Sequence, residues 1–171
     1  MTNSSSSPAR FPLSLAVITV SDTRTEATDK SGPILVERLQ QAGHRLHSKS
    51  IVLDNVYQLR AEVSALIADD MVHGILLTGG TGFTERDNTQ RAIHPLLDVV
   101  IDGFGELFRQ LSHEEIGSST VQSRAFAGLA NRTIVFCIPG SPGACQTAWD
   151  RIIGAQLDST HRPCNFVDKL R

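Results

Sequence analysis

Little in this chain points to a partner through bulk charge. Its 171 residues include 16 Lys or Arg and 18 Asp or Glu, a formal net charge of −2, with the signs interspersed. The strong basic excess of a dedicated nucleic-acid or membrane-surface binder is missing, which leaves room only for a local basic pocket. Long apolar runs are missing too, since none approaches the ~20 residues that cross a bilayer. The cysteines, Cys137, Cys145 and Cys164, are odd in number and too widely spaced for a zinc knuckle. They fit a reduced, cytoplasmic compartment and read as small apolar side chains, Cys137 above all. The histidines show no H-E-x-x-H spacing, and no catalytic triad stands out. The opening MTNSSSSPAR has no hydrophobic secretory core behind it, so residues 1–12 read as a short flexible leader.

What is present fits one domain over residues 13–171. Apolar residues make up 40% of the chain, enough at this length for a real core. LSLAVITV (13–20) is continuously apolar and reads as a strand buried on both faces. A helix follows from near Lys30, with Leu35, Leu39 and Ala42 at helical spacing and Gly43 as its cap. HRLHSKSIVL reads as a second strand, polar in its first half. Val56, Leu59, Val63 and Leu66 mark one face of a second helix. HGILLTG is a third strand and RTIVFCIPG a late one. NTQRAIHPLLDVV and FGELFRQLSHEEIG read as helical, and SPGACQTAWDRIIGAQLD as a long final helix. SSTVQSRAFAGLA reads as a short helix or a site segment. Strands alternating with helices predict an α/β fold: a single three-layer domain, its mainly parallel sheet flanked by helices. Ligands of such sheets gather at the carboxyl ends of the strands. The loops at 21–31, 54–55, 78–87 and 139–143 are therefore the suspects.

LLTGGTGFTERDNT (76–89) is the most unusual of these. The Walker pattern needs a lysine that is absent, and the third glycine of the dinucleotide fingerprint would fall at Glu85. The physics beneath both motifs survives. Gly79, Gly80 and Gly82 let backbone N–H groups converge on an anion, while Thr78 and Thr81 offer hydroxyls. Asp87 reads either as a helix N-cap or as a Mg²⁺ ligand beside phosphates, and Arg86 as a solvated charge or a phosphate donor. IPGSPGA (138–144) pairs another strand with Ser141 before Pro142, a pattern that ordinary helix capping also explains.

TVSD…DKSG (19–32), TGGTGFTERD (78–87), GFGE (103–106), QSRA (122–125) and IPGSPGA occur in this order. Together they resemble the MoaB/Mog family of molybdenum cofactor biosynthesis, nearest its MoaB branch. The resemblance implies the molybdopterin-binding fold, assembled as trimers or hexamers, and adenylylation of molybdopterin by Mg-ATP with release of pyrophosphate. It implies Asp54 and Asp87 as the functional acidic positions and Mg²⁺ ligands. It further implies Gly79, Gly80, Thr81 and Gly82 at the nucleotide phosphates, with Pro139, Gly140 and Ser141 as a second ligand loop. Ser123 and Arg124 match the element near the pterin phosphate. Transfer of product to a molybdenum-insertion enzyme would follow. The family commonly continues Arg-Asp-x-Thr with Pro-Glu-Ala, where this chain has Gln90-Arg91-Ala92. A second reading stays open: a noncatalytic pterin-binding or scaffolding oligomer in the same pathway.

Overall fold

A computed structural model describes residues 10–171, so most of the expected leader lies outside the described residues. Six strands form one sheet: β1 (Ser14–Val20), β2 (Arg45–Val52), β3 (Gly74–Thr78), β4 (Val99–Val100), β5 (Phe126–Ala130) and β6 (Thr133–Ile138), in the order β2-β1-β3-β6-β5-β4. The first four of that order run parallel, while β5 and β4 are antiparallel to their neighbours. The position of β2 at the sheet edge explains its polar first half, because a half-covered strand needs no continuous apolar run.

Helices cover both faces. On one face α1 (Ser31–Gln41) and α4 (Asp102–Ile116) meet the chain's last long helical stretch. That stretch starts as α5 (Pro142–Ala148), passes a π-helical turn at Trp149–Ile153 and ends in α6 (Gly154–Gln156). Leu35, Leu39, Phe108, Phe136 and Ile152 belong to this layer. On the other face α2 (Val56–Ala68) and α3 (Thr89–Ile93) pack Leu59, Val63, Leu66 and Ile93. Consecutive β3 residues alternate between the layers, Leu76 to the first and Ile75 and Leu77 to the second, and all three are fully buried. Each such side chain contributes about 1.5–3 kcal/mol of hydrophobic stabilisation.

Several local expectations need correction. The helix expected over NTQRAIHPLLDVV is only α3 plus a 3₁₀ turn at His94–Leu96, where Pro95 cannot continue the α pattern. Val99–Val100 then leaves as β4. SSTVQSRAFAGLA divides into a 3₁₀ turn at Gly117–Gln122 and the strand β5. The β5–β6 hairpin turns through Asn131 and Arg132, with φ of 46° and 65°. The tail carries a short α7 (Val167–Leu170), with Val167 and Leu170 buried against the core.

The topology decides where a site can form. From β1 the chain steps outward to β2 and then returns to β3 on the other side, so strand order reverses between β1 and β3. Loops leaving β1 and β3 consequently part at the sheet's carboxyl rim, the usual ligand crevice. Because β5 is antiparallel, with Phe126 opposite Cys137, it begins at the rim where β6 ends. Residues 123–125 therefore approach the same rim from the far side.

Candidate functional site

In the loop leaving β3 the carbonyls of Gly79, Gly80, Thr81 and Gly82 are held, while the amides of Gly80 and Thr81 are not. Gly79 and Gly80 have φ of +108° and +64°, and a Cβ on Gly79 would strike the Val20 carbonyl. Thr89 Oγ1 donates to the Gly79 carbonyl at 2.7 Å, and Thr89 N–H donates to that of Gly80 at 3.0 Å. Arg124 donates to the carbonyls of Thr81, Gly82 and Asp87, and at 3.0 Å to Gln90 Oε1. Gly79 N–H is spent on Ile138. The amides of Gly80 and Thr81 have no hydrogen-bond partner among the described residues. Unpaired amides in a glycine loop are groups that can converge on an anion.

The second loop touches the first. A Cβ on Gly140 would sit 3.2 Å from Gly79 Cα, a tight contact that favours glycine there. Ser31 Oγ holds the Gly140 carbonyl at 2.9 Å, and Thr78 Oγ1 donates to that of Pro139 at 3.0 Å. Ser141 Oγ accepts from Ala144 N–H at 3.2 Å, the capping role its sequence context suggested.

Both loops open on one cleft of about 560 Å³. Gly79, Gly80, Thr81, Gly82, Asp87, Ser123, Pro139, Gly140 and Ser141 all line it, as the sequence brought them together. Four other expected site residues do not. Thr78 is fully buried, with its hydroxyl committed to Pro139. The Arg124 guanidinium lies behind the glycine loop and stacks over Phe83, 4.9 Å from the ring centroid. Arg86 reaches away to pair with Asp22. Asp54 lies on the loop's far side, where its Oδ2 would be 2.9 Å from a Cβ on Gly80. There it borders a smaller polar depression with Tyr57, Arg60 and Arg91.

The carboxylates differ in their surroundings. Burial pushes the Asp54 carboxyl above its usual pKa, against hydrogen bonds from Asn88, and the charges of Asp22 and Asp87 add to the rise. Burial also opposes ionisation of Asp87, but donors from Thr84 and Gly82, with the charge of Arg124, hold its pKa below the usual value. Asp87 does not cap α3: its Oδ2 accepts from Thr84 N–H and Oγ1 at 2.9 and 2.7 Å. Asp54 Oδ1 accepts from Asn88 N–H at 2.9 Å. Among the described residues no group of three His, Cys, Asp or Glu side chains is gathered for a metal. Mg²⁺ fits this donor set in another way. It commonly takes one or two carboxylates and completes its octahedron with water and phosphate oxygens. Asp54 and Asp87, each with one oxygen fixed by the loop, could hold it on those terms.

Sequence reasoning missed Asp22, Asp29, Ser112, Glu115 and Thr147. Asp29 is a buried carboxylate that accepts from Thr19 Oγ1 and from the amides of Ser31 and Gly32, and it pairs with Lys49 at 3.3 Å. Burial alone would raise its pKa, yet these partners bring it below the usual value. An Asp just ahead of a helix start was the available signal. Ser112, Glu115 and Thr147 line the cleft from α4 and α5, facing a space that periodicity alone does not reveal.

The fold and cleft define an α/β protein whose glycine loop borders a cleft at a sheet switch point, with two of its amides unpaired among the described residues. A family model described as a probable molybdopterin binding domain matches residues 16–159. The chain belongs to that family, whose MoaB/Mog fold it shares. Molybdenum cofactor biosynthesis protein B of Escherichia coli (strain K12) is 53% identical over 161 residues, which cover 94% of this chain and 95% of that protein. A crystal structure of a molybdenum cofactor biosynthesis protein B aligns with a TM-score of 0.84 at 45% identity, covering 87% of this chain and 93% of the other. The tungsten cofactor synthesizing protein MoaB from Pyrococcus furiosus aligns with a TM-score of 0.76 at 36% identity, covering 85% and 92%.

Proposed function

We propose that this protein acts in molybdenum cofactor biosynthesis and transfers an adenylyl group from Mg-ATP to molybdopterin, releasing pyrophosphate. The observation that carries the proposal is the pair of open amides at Gly80 and Thr81, with the Asp87 carboxylate lining the same cleft and that of Asp54 behind the loop. No Lys or Arg side chain lines the cleft among the described residues, and its charged lining is Asp87 and Glu115. A site with donors and carboxylates but no cation takes a polyphosphate best as its metal complex.

The chemistry asks little of a general base. The terminal phosphate of molybdopterin, with a second pKa of about 6, is largely ionised at neutral pH. One of its oxygens attacks the α-phosphorus of ATP. The bond from that phosphorus to the bridging oxygen breaks, and pyrophosphate leaves with the electron pair. When bound, Mg²⁺ would offset negative charge on the nucleotide phosphates. The protein's own part is alignment and charge placement. Gly80 and Thr81 amides orient phosphate oxygens, Asp54 and Asp87 would hold the cation, and Ser123 with the 139–141 loop borders the pterin phosphate. Arg124 positions the glycine loop from behind, and Gln90 positions Arg124.

A second reading is a noncatalytic pterin-binding oligomer. The commitment of Asp87 Oδ2 to Thr84 favours it, because part of that carboxylate is already used. Calorimetry separates the two. The enzyme reading expects Mg-ATP to bind saturably, and more weakly with EDTA present. Pterin binding without any Mg-ATP heat would leave only the second reading. Self-association as trimers or hexamers and hand-over of product to a molybdenum-insertion enzyme belong to the same proposal.

A further inference from the structure

The cleft has two chemically distinct ends. One carries the open amides and the glycine loops. At the other, α4 and α5 place Ser112, Glu115 and Thr147, none of which the phosphate chemistry uses. Glu115 Oε1 accepts from Thr147 Oγ1 at 2.7 Å, a bond that joins the two helices and sets the direction of the carboxylate. Phe108 and Ile116 also line the cleft and give it apolar surface.

A carboxylate at that end repels a phosphate and rewards N–H donors. The ring edges of the proposed ligands separate on this basis. Adenine offers an amino donor beside a ring-nitrogen acceptor, so a carboxylate satisfies one and opposes the other. A pterin offers its 2-amino group and N3–H side by side, two parallel donors spaced for one carboxylate. The apolar surface suits a flat heterocycle, and a phosphate attached to it would lie toward the amide end.

We propose that Glu115, oriented by Thr147, determines ligand specificity by accepting from the paired donor edge of a pterin ring while the glycine loops hold its phosphate. This rests on the pterin-binding reading given under Proposed function and adds the group that recognises the ring.

The test compares a 6-phosphooxymethyl pterin with the matching lumazine, which carries oxygen in place of the 2-amino group. Binding of each is followed by fluorescence titration at pH 7, with inorganic pyrophosphate as a probe of the amide end. Wild-type protein should prefer the pterin by roughly tenfold or more, since a site built for a donor rejects the analogue that lacks it. In Glu115→Gln, whose amide can donate to the 2-oxo group, the preference should fall to about twofold or reverse. Glu115 is exposed, so folding should survive; Glu115→Ala, weakening pterin without improving lumazine, would separate lost acceptance from new donation. Pyrophosphate binding should be unchanged in both variants. An undiminished pterin preference in Glu115→Gln overturns the role of Glu115 and leaves the function standing. Wild-type protein that binds no pterin overturns both.

Discussion

Two loops leave neighbouring strands at the same switch point, and they use their polar groups in opposite ways. The loop after β1 turns inward: Asp29 accepts from two amides and a hydroxyl and pairs with Lys49. The loop after β3 turns outward: its carbonyls are held by Thr89 and Arg124, and two amides face a cleft. The first is organised around a buried carboxylate, and the second leaves the amides of Gly80 and Thr81 unpaired beside the cleft. Position at the rim makes a loop a candidate, and it is the cleft that tells the two apart: the loop after β3 lines it and the loop after β1 does not.

Substitutions should separate them further. The largest stability loss is expected for Asp29→Ala, which strands two amides and a hydroxyl and leaves Lys49 with Glu26 alone. Removing one partner of a buried pair typically costs about 3–5 kcal/mol, readable as a lowered urea midpoint. Wild-type stability in this variant would break the comparison. Gly79→Ala comes next, because its φ of +108° and the nearby Val20 carbonyl leave no room for Cβ. A loss of about 2–3 kcal/mol is expected, along with loss of pyrophosphate binding. Retained binding would mean that the loop's shape is not what presents the amides.

A smaller effect belongs to the opposite end of the sheet. His44 and His73 accept from the amides of Leu13 and Ser14 through Nδ1, which only an unprotonated nitrogen can do. Burial depresses both pKa values. Their contribution is therefore complete above the unfolded value of about 6.5 and is lost as pH falls through the lower folded values. Unfolding midpoints measured between pH 8 and pH 5 should decline on the acid side, and His73→Gln should flatten that decline. An unchanged slope in the variant would remove His73 from the account.

The sequence made the central sheet legible where strands are buried on both faces, as β1, β3 and β6 are. The apolar runs of β3 and β6 end in glycine loops that announced the cleft. The antiparallel edge was hidden, because β4 is two residues long and Asn131-Arg132 lacks the glycine that usually marks such a hairpin. Glycine and serine positions in the site were readable from motif chemistry. The directions taken by long side chains were not: Arg86 finds Asp22, 64 positions away, and Arg124 turns behind the loop. The charges of SHEEIG read as exposed on a helix, which Glu115 is, but only the packing of α4 beside α5 brings it to a cleft.

The central claim is that the outward loop and its carboxylates make a nucleotidyl-transfer site. Pyrophosphate release from purified protein with molybdopterin, ATP and Mg²⁺ tests it most directly, run beside Asp87→Asn. The account predicts molybdopterin-dependent release by the wild type, reduced roughly 100-fold or more in the variant while its unfolding midpoint stays near that of the wild type. No release from the wild type, or full release from Asp87→Asn, would contradict it.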